Sequence, residues 1–220
     1  MFQISISYDF RKVWPNIKLV CIECDVTMEE LNTKLWATID QYCKQISSSL
    51  KIEDISTIPS IATSRKAYRA LGQDPARYRL SAEALLRRVV KGNGLYQINN
   101  VVDIVNLSSV LSGFSIGGYD VDQINGNIGL GIGRKNEPYE AIGRGDLNIG
   151  FLPVLRDVSG AFGSPTSDSM RTSVTLKTRR FLMIYFGFGA HSELEKATGE
   201  AKNLLEMYAS AQNINQFIVV

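Results

Sequence analysis

The run Ile98-Asn99-Asn100-Val101-Val102-Asp103-Ile104-Val105-Asn106 decides how the rest of this 220-residue chain is interpreted. It predicts a helix from Asn100 to Leu111, which Gly113 closes. The polar residues of the run recur at helical spacing, so one face of this helix is polar. Such a face binds a ligand if it borders a cleft and is merely solvated if it meets water. The spacing leaves both alternatives open.

N-terminal to this run, the sequence predicts two strands followed by helices. Alternation of apolar and polar residues over Phe2–Ser7 and the apolar run Lys18–Asp25 predict the strands. Thr27 and Glu30 form a capping-box pattern, which predicts that a long amphipathic helix begins there. Two shorter helices are predicted before the central run, the second of them capped by Ser81.

C-terminal to the run, the pattern of apolar residues and glycines changes. From Ser115 to Phe188, short β-prone pieces alternate with glycine-rich turns. Ser192 and Glu195 form a second capping box, which predicts a terminal helix. Helices first and strands later favour an α+β fold with mixed or antiparallel sheets and flanking helices. We expect one compact unit over 1–220, made of N-terminal strands and a helix (1–63), a core (64–188) and a C-terminal helix (189–220).

The small net charge of +2 hides a strongly basic segment. Residues 65–91 carry +6 and the remainder carries −4. Because tyrosines interleave these cations, the segment suits phosphate contacts with base stacking. The alternative is ordinary solvation of helix surfaces and helix ends. The basic residues are Arg65, Lys66, Arg69, Arg77, Arg79, Arg87, Arg88 and Lys91, and all but Lys66 are our candidates for RNA contacts.

Residue counts exclude several kinds of site. His191 is the only histidine, which excludes a multi-histidine metal centre and leaves a histidine-dependent triad one candidate. Three cysteines fit a reducing cytoplasm. Cys21 and Cys24 form a C-x-x-C, but they lie in the predicted strand Lys18–Asp25 and are interpreted as buried structural thiols. No stretch is long and apolar enough to cross a bilayer. We therefore expect a cytoplasmic protein with no metal, no cofactor and no membrane partner.

Two glycine- and hydroxyl-rich segments are candidate ligand sites. Gly143 and Gly145 would let backbone amides face an anion. The segment 164–169 packs hydroxyls and a carboxylate between two strands. It lines a pocket or forms a solvated turn, with Ser167 and Asp168 as its candidate site residues.

Several stretches together resemble a known family. They are Ser64–Gly72, Ser81–Arg88, the Ile98–Asn106 run and Tyr119–Asp122. Over Ser64–Phe188 the chain resembles the tRNA-binding and editing module of the phenylalanyl-tRNA synthetase beta subunit, its third and fourth domains, in the form of a free-standing homologue. The resemblance implies an α+β module that, within the synthetase, hydrolyses tyrosine wrongly attached to the phenylalanine tRNA. Nothing in the chain resembles the class II catalytic motifs, so it is not expected to aminoacylate.

The resemblance carries over to some site positions and departs at others. Asn106 and Asp120 match an asparagine and an aspartate of the bacterial editing site, and Gly163 matches a pocket glycine. Gly117 stands where that site has a histidine. Ile184 stands where it has the glutamate that binds the tyrosine hydroxyl. Loss of that polar partner predicts loss of discrimination for a hydroxyl.

Three functions follow as hypotheses. The first is a protein that binds tRNA or aminoacyl-tRNA, with trans-acting deacylase activity as the extended form of this hypothesis. In that form a positioned water attacks the ester, and amides near Gly143, Gly145 and Gly163 stabilise the oxyanion. The second is a non-catalytic module that binds tRNA or other RNA. The third is a pocket for a small, amino-acid-like ligand, formed by Asn106, Asp120 and the segment 164–169.

Overall fold

The computed structural model describes residues 2–220 and contains, within them, ten strands and six α-helices. The strands are β1 (Ile4–Ile6), β2 (Lys18–Asp25), β3 (Ile116–Asp120), β4 (Ile128–Ile132), β5 (Glu140–Ala141), β6 (Gly145–Asp146), β7 (Pro153–Asp157), β8 (Gly160–Gly163), β9 (Arg180–Gly187) and β10 (Gln212–Val219). The helices are α1 (Tyr8–Val13), α2 (Thr33–Ser49), α3 (Pro59–Ala70), α4 (Ser81–Val90), α5 (Asn100–Ser112) and α6 (His191–Ala209).

The strands form two four-stranded sheets and a small hairpin. The central sheet is antiparallel, in the order β10-β2-β9-β3. The second sheet has the order β1-β4-β7-β8, with β1 parallel to β4 and the other pairs antiparallel. β5 and β6 form a separate two-stranded hairpin, which an isolated antiparallel bridge between Ala141 and Ser169 joins to segment 164–169. The predicted α+β class with mixed and antiparallel sheets is confirmed.

The central sheet is buried on both faces, which explains why β2 and β9 are almost continuously apolar. On one face, Ile22, Met183 and Tyr185 belong to a core shared with residues of α2, α4, α5 and α6. On the other face, Cys21 and Ile184 belong to a core shared with α1 and the second sheet. Candidate residues on β3 and β9 therefore point either toward the helices or toward the second sheet. The division into 1–63, 64–188 and 189–220 as structural parts stays a prediction.

The C-x-x-C of β2 is split between these two cores. Successive side chains of a strand point to opposite faces, so residues three apart also do. Cys21 faces the second sheet and Cys24 faces the helices, and both are free and buried. Burial raises the pKa of each thiol to about 12. Both are structural thiols, as the strand pattern predicted, and neither is a thiolate nucleophile at neutral pH.

The central helix α5 has the boundaries that its sequence predicted, within one residue. The Asn99 side chain caps it by accepting from the Val102 N–H. Gly113 ends it in the left-handed conformation, with φ of 71°. A side chain at Gly113 would also collide with Ser60 on α3, whose Oγ would lie 2.5 Å from the added Cβ.

The predicted starts of two other helices, α2 and α4, are wrong or differ in detail. α2 does not begin at the Thr27–Glu30 box, because the Thr27 N–H is bonded to Ala209 and α2 starts six residues later under an Asn32 cap. Ser81 is the first residue of α4 but provides no cap, and its N–H donates to Pro165. At Thr27 a tertiary hydrogen bond occupies the backbone N–H that the capping box requires. At α4 the cap position falls on Leu80, which has no side-chain acceptor.

The C-terminal region also differs from the prediction. α6 begins at His191 without a side-chain cap, since Ala190 enters the helix in a left-handed conformation and Ser192 is already helical. The prediction of a helix over 189–220 is wrong beyond Ala209, because Gln212–Val219 forms strand β10 against β2. α6 is the longest helix at 19 residues. No helix within residues 2–220 has both the length and the apolar character that a bilayer crossing requires.

Candidate functional site

A buried carboxylate organises the basic segment. Glu83 lies in the first turn of α4, and its side chain is 1% exposed. It accepts hydrogen bonds from Arg65 Nη1 at 2.7 Å and Arg87 Nε at 3.1 Å, and Arg79 Nε lies 3.9 Å away. A buried carboxylate needs compensating cations. Glu83 therefore holds guanidinium groups from α3, from α4 and from their connecting loop at one place, with positive charge in excess.

The other cations of the segment have no carboxylate within ion-pair distance in the described part of the chain. Lys66, Arg69, Arg77 and Lys91 are exposed. Arg88 is half-buried and lies over the ring of Tyr96. We call the eight residues Arg65, Lys66, Arg69, Arg77, Arg79, Arg87, Arg88 and Lys91 the α3–α4 basic surface.

The predicted ligand pocket is filled by a side chain of the protein itself. Gly117 on β3 and Gly163 on β8 lie on either side of the Tyr119 phenol, and a Cβ added to either glycine would overlap its hydroxyl. Tyr119 is fully buried. Its ring meets Phe162 edge to face at 5.0 Å between centroids. The space between β3 and β8 therefore holds packed protein.

Asp168 receives the hydroxyl of this tyrosine. Its Oδ1 accepts from Tyr119 Oη at 2.7 Å, and its Oδ2 accepts from the Gly118 N–H at 3.3 Å. Because β3 is an outer strand of the central sheet, this carboxylate covers part of an otherwise open edge. Burial raises the pKa of Asp168 to about 7, although both hydrogen bonds act in the opposite direction. Burial, and then the Asp168 charge, raises the pKa of Tyr119, which therefore donates as a neutral phenol.

The raised pKa of Asp168 predicts that stability falls as pH rises from about 4 to about 7. In this window the folded state holds the proton that the unfolded state, with its ordinary carboxyl pKa, has released. The change is at most about 4 kcal/mol, from roughly three pH units at 1.4 kcal/mol each. Urea unfolding of the wild type and of Asp168→Asn at several pH values measures it. The variant should lack this decline, and a decline of equal size in both proteins would contradict the assignment.

Segment 164–169 is a buried turn that its own hydrogen bonds hold together. Ser164 Oγ donates to the Ser167 carbonyl at 3.1 Å and accepts from the Thr166 and Ser167 amides. The Tyr139 hydroxyl also donates to the Ser167 carbonyl, at 2.6 Å. The Tyr68 hydroxyl lies 2.9 Å from Thr166 Oγ1. The turn thus bonds to neighbouring elements and is not a solvated loop, although Ser169 at its end also lines an open cleft.

The remaining editing-site positions are not gathered around one cavity. Ile184 lies directly opposite Gly117 in the β3–β9 register and is fully buried. Asp120 is committed to structure, since it accepts from the Asp122 N–H and from the Thr178 hydroxyl at 2.7 Å. Asn106 is half-buried on α5, which packs on the helix side of the sheet. Gly117, Gly163, Asp168 and Ile184 therefore share one region, and Asn106 belongs to another.

The three glycines expected to form an oxyanion site do not come together. Gly143 and Gly145 lie at the exposed tip of the β5–β6 hairpin, with φ of 68° and 70°. Nothing lies within 4 Å of a Cβ placed on either one. Gly163, by contrast, is buried against Tyr119. The expectation of a shared amide cluster is therefore wrong, because the turn geometry that demands glycine keeps the tip in solvent.

The polar face of α5 is mostly an internal anchor. Asp103 accepts from Trp36 Nε1 at 2.7 Å and from the Ile98 N–H at 2.9 Å. Burial raises the pKa of this carboxyl. Asn100 uses its whole amide on backbone groups, which belong to Thr27, Glu29 and Tyr208. At these positions the polar face of α5 borders neither a cleft nor water. Its side chains instead join α5 to distant segments of the chain.

An open cleft of about 930 Å³ lies elsewhere, between the β5–β6 hairpin and Arg171. Its acidic residues include Glu140 and Asp146, which are exposed. The Arg171 guanidinium is already bound to Asp157 at 2.8 Å. None of the nine residues predicted for the pocket lines this cleft: Asn106, Gly117, Asp120, Gly143, Gly145, Gly163, Ser167, Asp168 and Ile184.

The two residues that organise these regions, Glu83 and Tyr119, were not predicted from the sequence. The sequence contained a residue spacing that pointed to each of them. Tyr119 follows Gly117 by two positions, which places both on one face of a strand. Glu83 lies four residues from both Arg79 and Arg87, the spacing of helical ion pairs. Neither spacing reveals that the side chain is buried.

Comparisons with known proteins agree with this architecture. Residues 63–202, more than half of the chain, match the family model of the B3/4 domain. The fold is similar to an N-terminal fragment of the phenylalanyl-tRNA synthetase beta subunit from Pyrococcus horikoshii, with a TM-score of 0.51 and 13% identity. The match covers 99% of this chain, which spans 50% of that fragment, so it establishes the fold alone. No curated protein matches.

Proposed function

This chain belongs to the B3/4 domain family, a domain of the phenylalanyl-tRNA synthetase beta subunit, and on that premise we propose that it is a tRNA-binding module. The observation that carries the proposal is the α3–α4 basic surface, where Arg65, Arg79 and Arg87 surround the buried carboxylate of Glu83. We also propose that the protein binds tRNA in the cytoplasm.

Electrostatics support a polyanionic partner. The basic segment carries +6 and the rest of the chain −4, so a polyanion is attracted to one region and repelled by the remainder. Ion pairs with Glu83 restrict the orientations of the Arg65 and Arg87 side chains. Each side chain therefore loses less conformational entropy when it binds a phosphate. The unpaired Lys66, Arg69 and Lys91 are available to further phosphates.

Hydrolysis of a mischarged tRNA has weaker support than binding. In the structure, Tyr119 occupies the space between Gly117 and Gly163, two positions that the resemblance matched to the editing site. The candidate oxyanion donors at Gly143 and Gly145 are exposed at the β5–β6 hairpin, whereas Gly163 is buried against Tyr119. A small-molecule site at Asp120 is also disfavoured, since both carboxylate oxygens are already bonded. We therefore propose a binding function without ester hydrolysis.

Binding of tRNA should weaken steeply with salt. Contacts with about four phosphates predict a roughly 50- to 150-fold loss of affinity between about 50 and 200 mM salt. The triple variant Lys66→Gln, Arg69→Gln, Lys91→Gln should bind tRNA at least about tenfold more weakly and show a salt slope reduced by about 2 to 3. Fluorescence anisotropy with labelled tRNA measures both quantities.

A matched triple variant controls for the change in net charge. Lys12, Lys44 and Lys177 are exposed, unpaired in the described residues and outside the basic surface. Replacing all three with glutamine removes the same charge and should change affinity much less. Equal losses in the two triple variants would show that net charge, and not this surface, determines binding.

A deacylation panel separates binding from editing. Phenylalanine tRNA charged with tyrosine or with other near-cognate amino acids is incubated with an excess of the protein. We expect binding without acceleration of ester hydrolysis over the uncatalysed rate. Acceleration that Asp168→Asn abolishes would establish the trans-acting deacylase instead, and would imply that Tyr119 leaves its buried position.

A further inference from the structure

Tyr96 presents an aromatic face at the end of α4. The Arg88 guanidinium carbon lies 3.9 Å from its ring centroid, so one side of the ring is covered by a cation. The residue nevertheless remains 52% exposed, so a large part of its side-chain surface stays accessible to solvent beside the cation. Tyr96 precedes α5 in a segment without regular secondary structure.

The short segment that carries Tyr96 is held firmly at both ends. Leu95, immediately before it, is buried in the helix-side core. After it, the Ile98 N–H donates to the buried carboxylate of Asp103, and Asn99 caps α5. The ring is therefore positioned before any partner arrives, which reduces the ordering cost of binding.

Arg88 differs from its neighbour Arg87 in what it binds. Arg87 is paired with Glu83, whereas Arg88 has no carboxylate partner within residues 2–220 and its buried Nε has no hydrogen-bond partner. The guanidinium thus lies along the Tyr96 ring with its charge uncompensated by an acid. Lys91, one turn further along, is exposed and also unpaired. A solvent-accessible aromatic ring beside two free cations suits an unstacked base and its flanking phosphates.

We propose that Tyr96 and Arg88 form a stacking platform for unpaired nucleotides of RNA. The proposal rests on the tRNA-binding function and specifies which part of an RNA this end of the basic surface takes. Double-stranded RNA buries its base faces, so it does not use the platform and contacts only the cations. The platform therefore gives the surface a preference for single-stranded segments that charge alone would not provide.

The test compares Tyr96→Leu with Tyr96→Phe. The probes are a labelled short oligouridylate and a labelled, blunt-ended RNA duplex of two separate strands, at about 50 mM salt, where phosphate contacts are strong. Tyr96→Leu should weaken oligouridylate binding about tenfold and leave duplex binding unchanged, because one base stack contributes this much. Tyr96→Phe should bind like the wild type. Tyr8, which is 79% exposed on α1, provides the control variant Tyr8→Leu, expected to have no effect.

Three results would overturn the platform. They are unchanged oligouridylate affinity in Tyr96→Leu, an equal loss on the duplex, and an equal loss of binding to polyglutamate, which carries charge but no bases. Failure of the proposed function would give a different result. A wild-type protein that binds oligouridylate but not tRNA would exclude tRNA as the partner without contradicting the platform. Thermal unfolding of each variant verifies the fold.

Discussion

Tyr119→Ala is expected to lower the free energy of unfolding by about 3–5 kcal/mol, the usual cost of truncating a buried aromatic side chain. The phenol is fully buried, meets Phe162 edge to face and fills the space between Gly117 and Gly163. Its removal leaves a cavity and deprives Asp168 of its shortest hydrogen bond. Urea unfolding monitored by far-UV circular dichroism measures the change.

Two companion measurements separate the cavity from the hydrogen bond. Tyr119→Phe removes only the hydroxyl, so it should cost about 1–3 kcal/mol, the penalty for an unsatisfied buried acceptor. A small phenol such as 4-methylphenol should raise the melting temperature of Tyr119→Ala by refilling the cavity, and it should leave the wild type unchanged. A loss below about 1 kcal/mol in Tyr119→Ala would mean that the space is not packed.

Glu83→Ala is expected to cost about 3 kcal/mol and to disorder the basic surface. Removing one partner of a buried ion pair leaves the other charge uncompensated. Arg65 is the most affected, because its side chain is only 16% exposed and its guanidinium lies 2.7 Å from the lost carboxylate. Affinity for tRNA should fall even though the variant is more positive, because the three guanidinium groups lose their common anchor. Urea unfolding and tRNA anisotropy check the two effects.

Two controls define what the Glu83 result means. Glu83→Gln keeps an acceptor of the same shape and should lose less stability than the alanine variant. Glu200→Ala breaks an exposed pair with Lys196, at 3.9 Å, and should change stability by less than about 0.5 kcal/mol. Tighter tRNA binding by Glu83→Ala would contradict the organising role and would indicate that net charge alone sets the affinity.

The sequence predicted local features well where short-range physics decides them. α5 has its predicted bounds because Asn99 and Gly113 act on the chain within one turn. β2 occupies the predicted Lys18–Asp25, since an apolar run of this length is stable only between two packed layers. The resemblance to the synthetase module is confirmed by the match over residues 63–202 and by the fold.

Predictions failed where distant segments compete for the same groups. The capping box at Thr27 is wrong because this backbone bonds to Ala209, which is remote in the sequence. The long terminal helix is wrong because Gln212–Val219 completes the edge of the central sheet beside β2. In both cases a local pattern was correct as a propensity, and a tertiary hydrogen bond prevailed over it.

By itself, the sequence determined the α+β class, the central helix and the excess of positive charge in residues 65–91, because composition and short-range periodicity encode these properties. It indicated the family through the resemblance of a few residue stretches to the synthetase module. Only the tertiary structure decided that Glu83 is the buried anchor of that charge and that Tyr119 fills the predicted pocket. Burial depends on which layers meet. Asp168, in the turn after β8, reaches Tyr119 on β3 across 49 residues of chain, and no local spacing specifies a contact at such a separation.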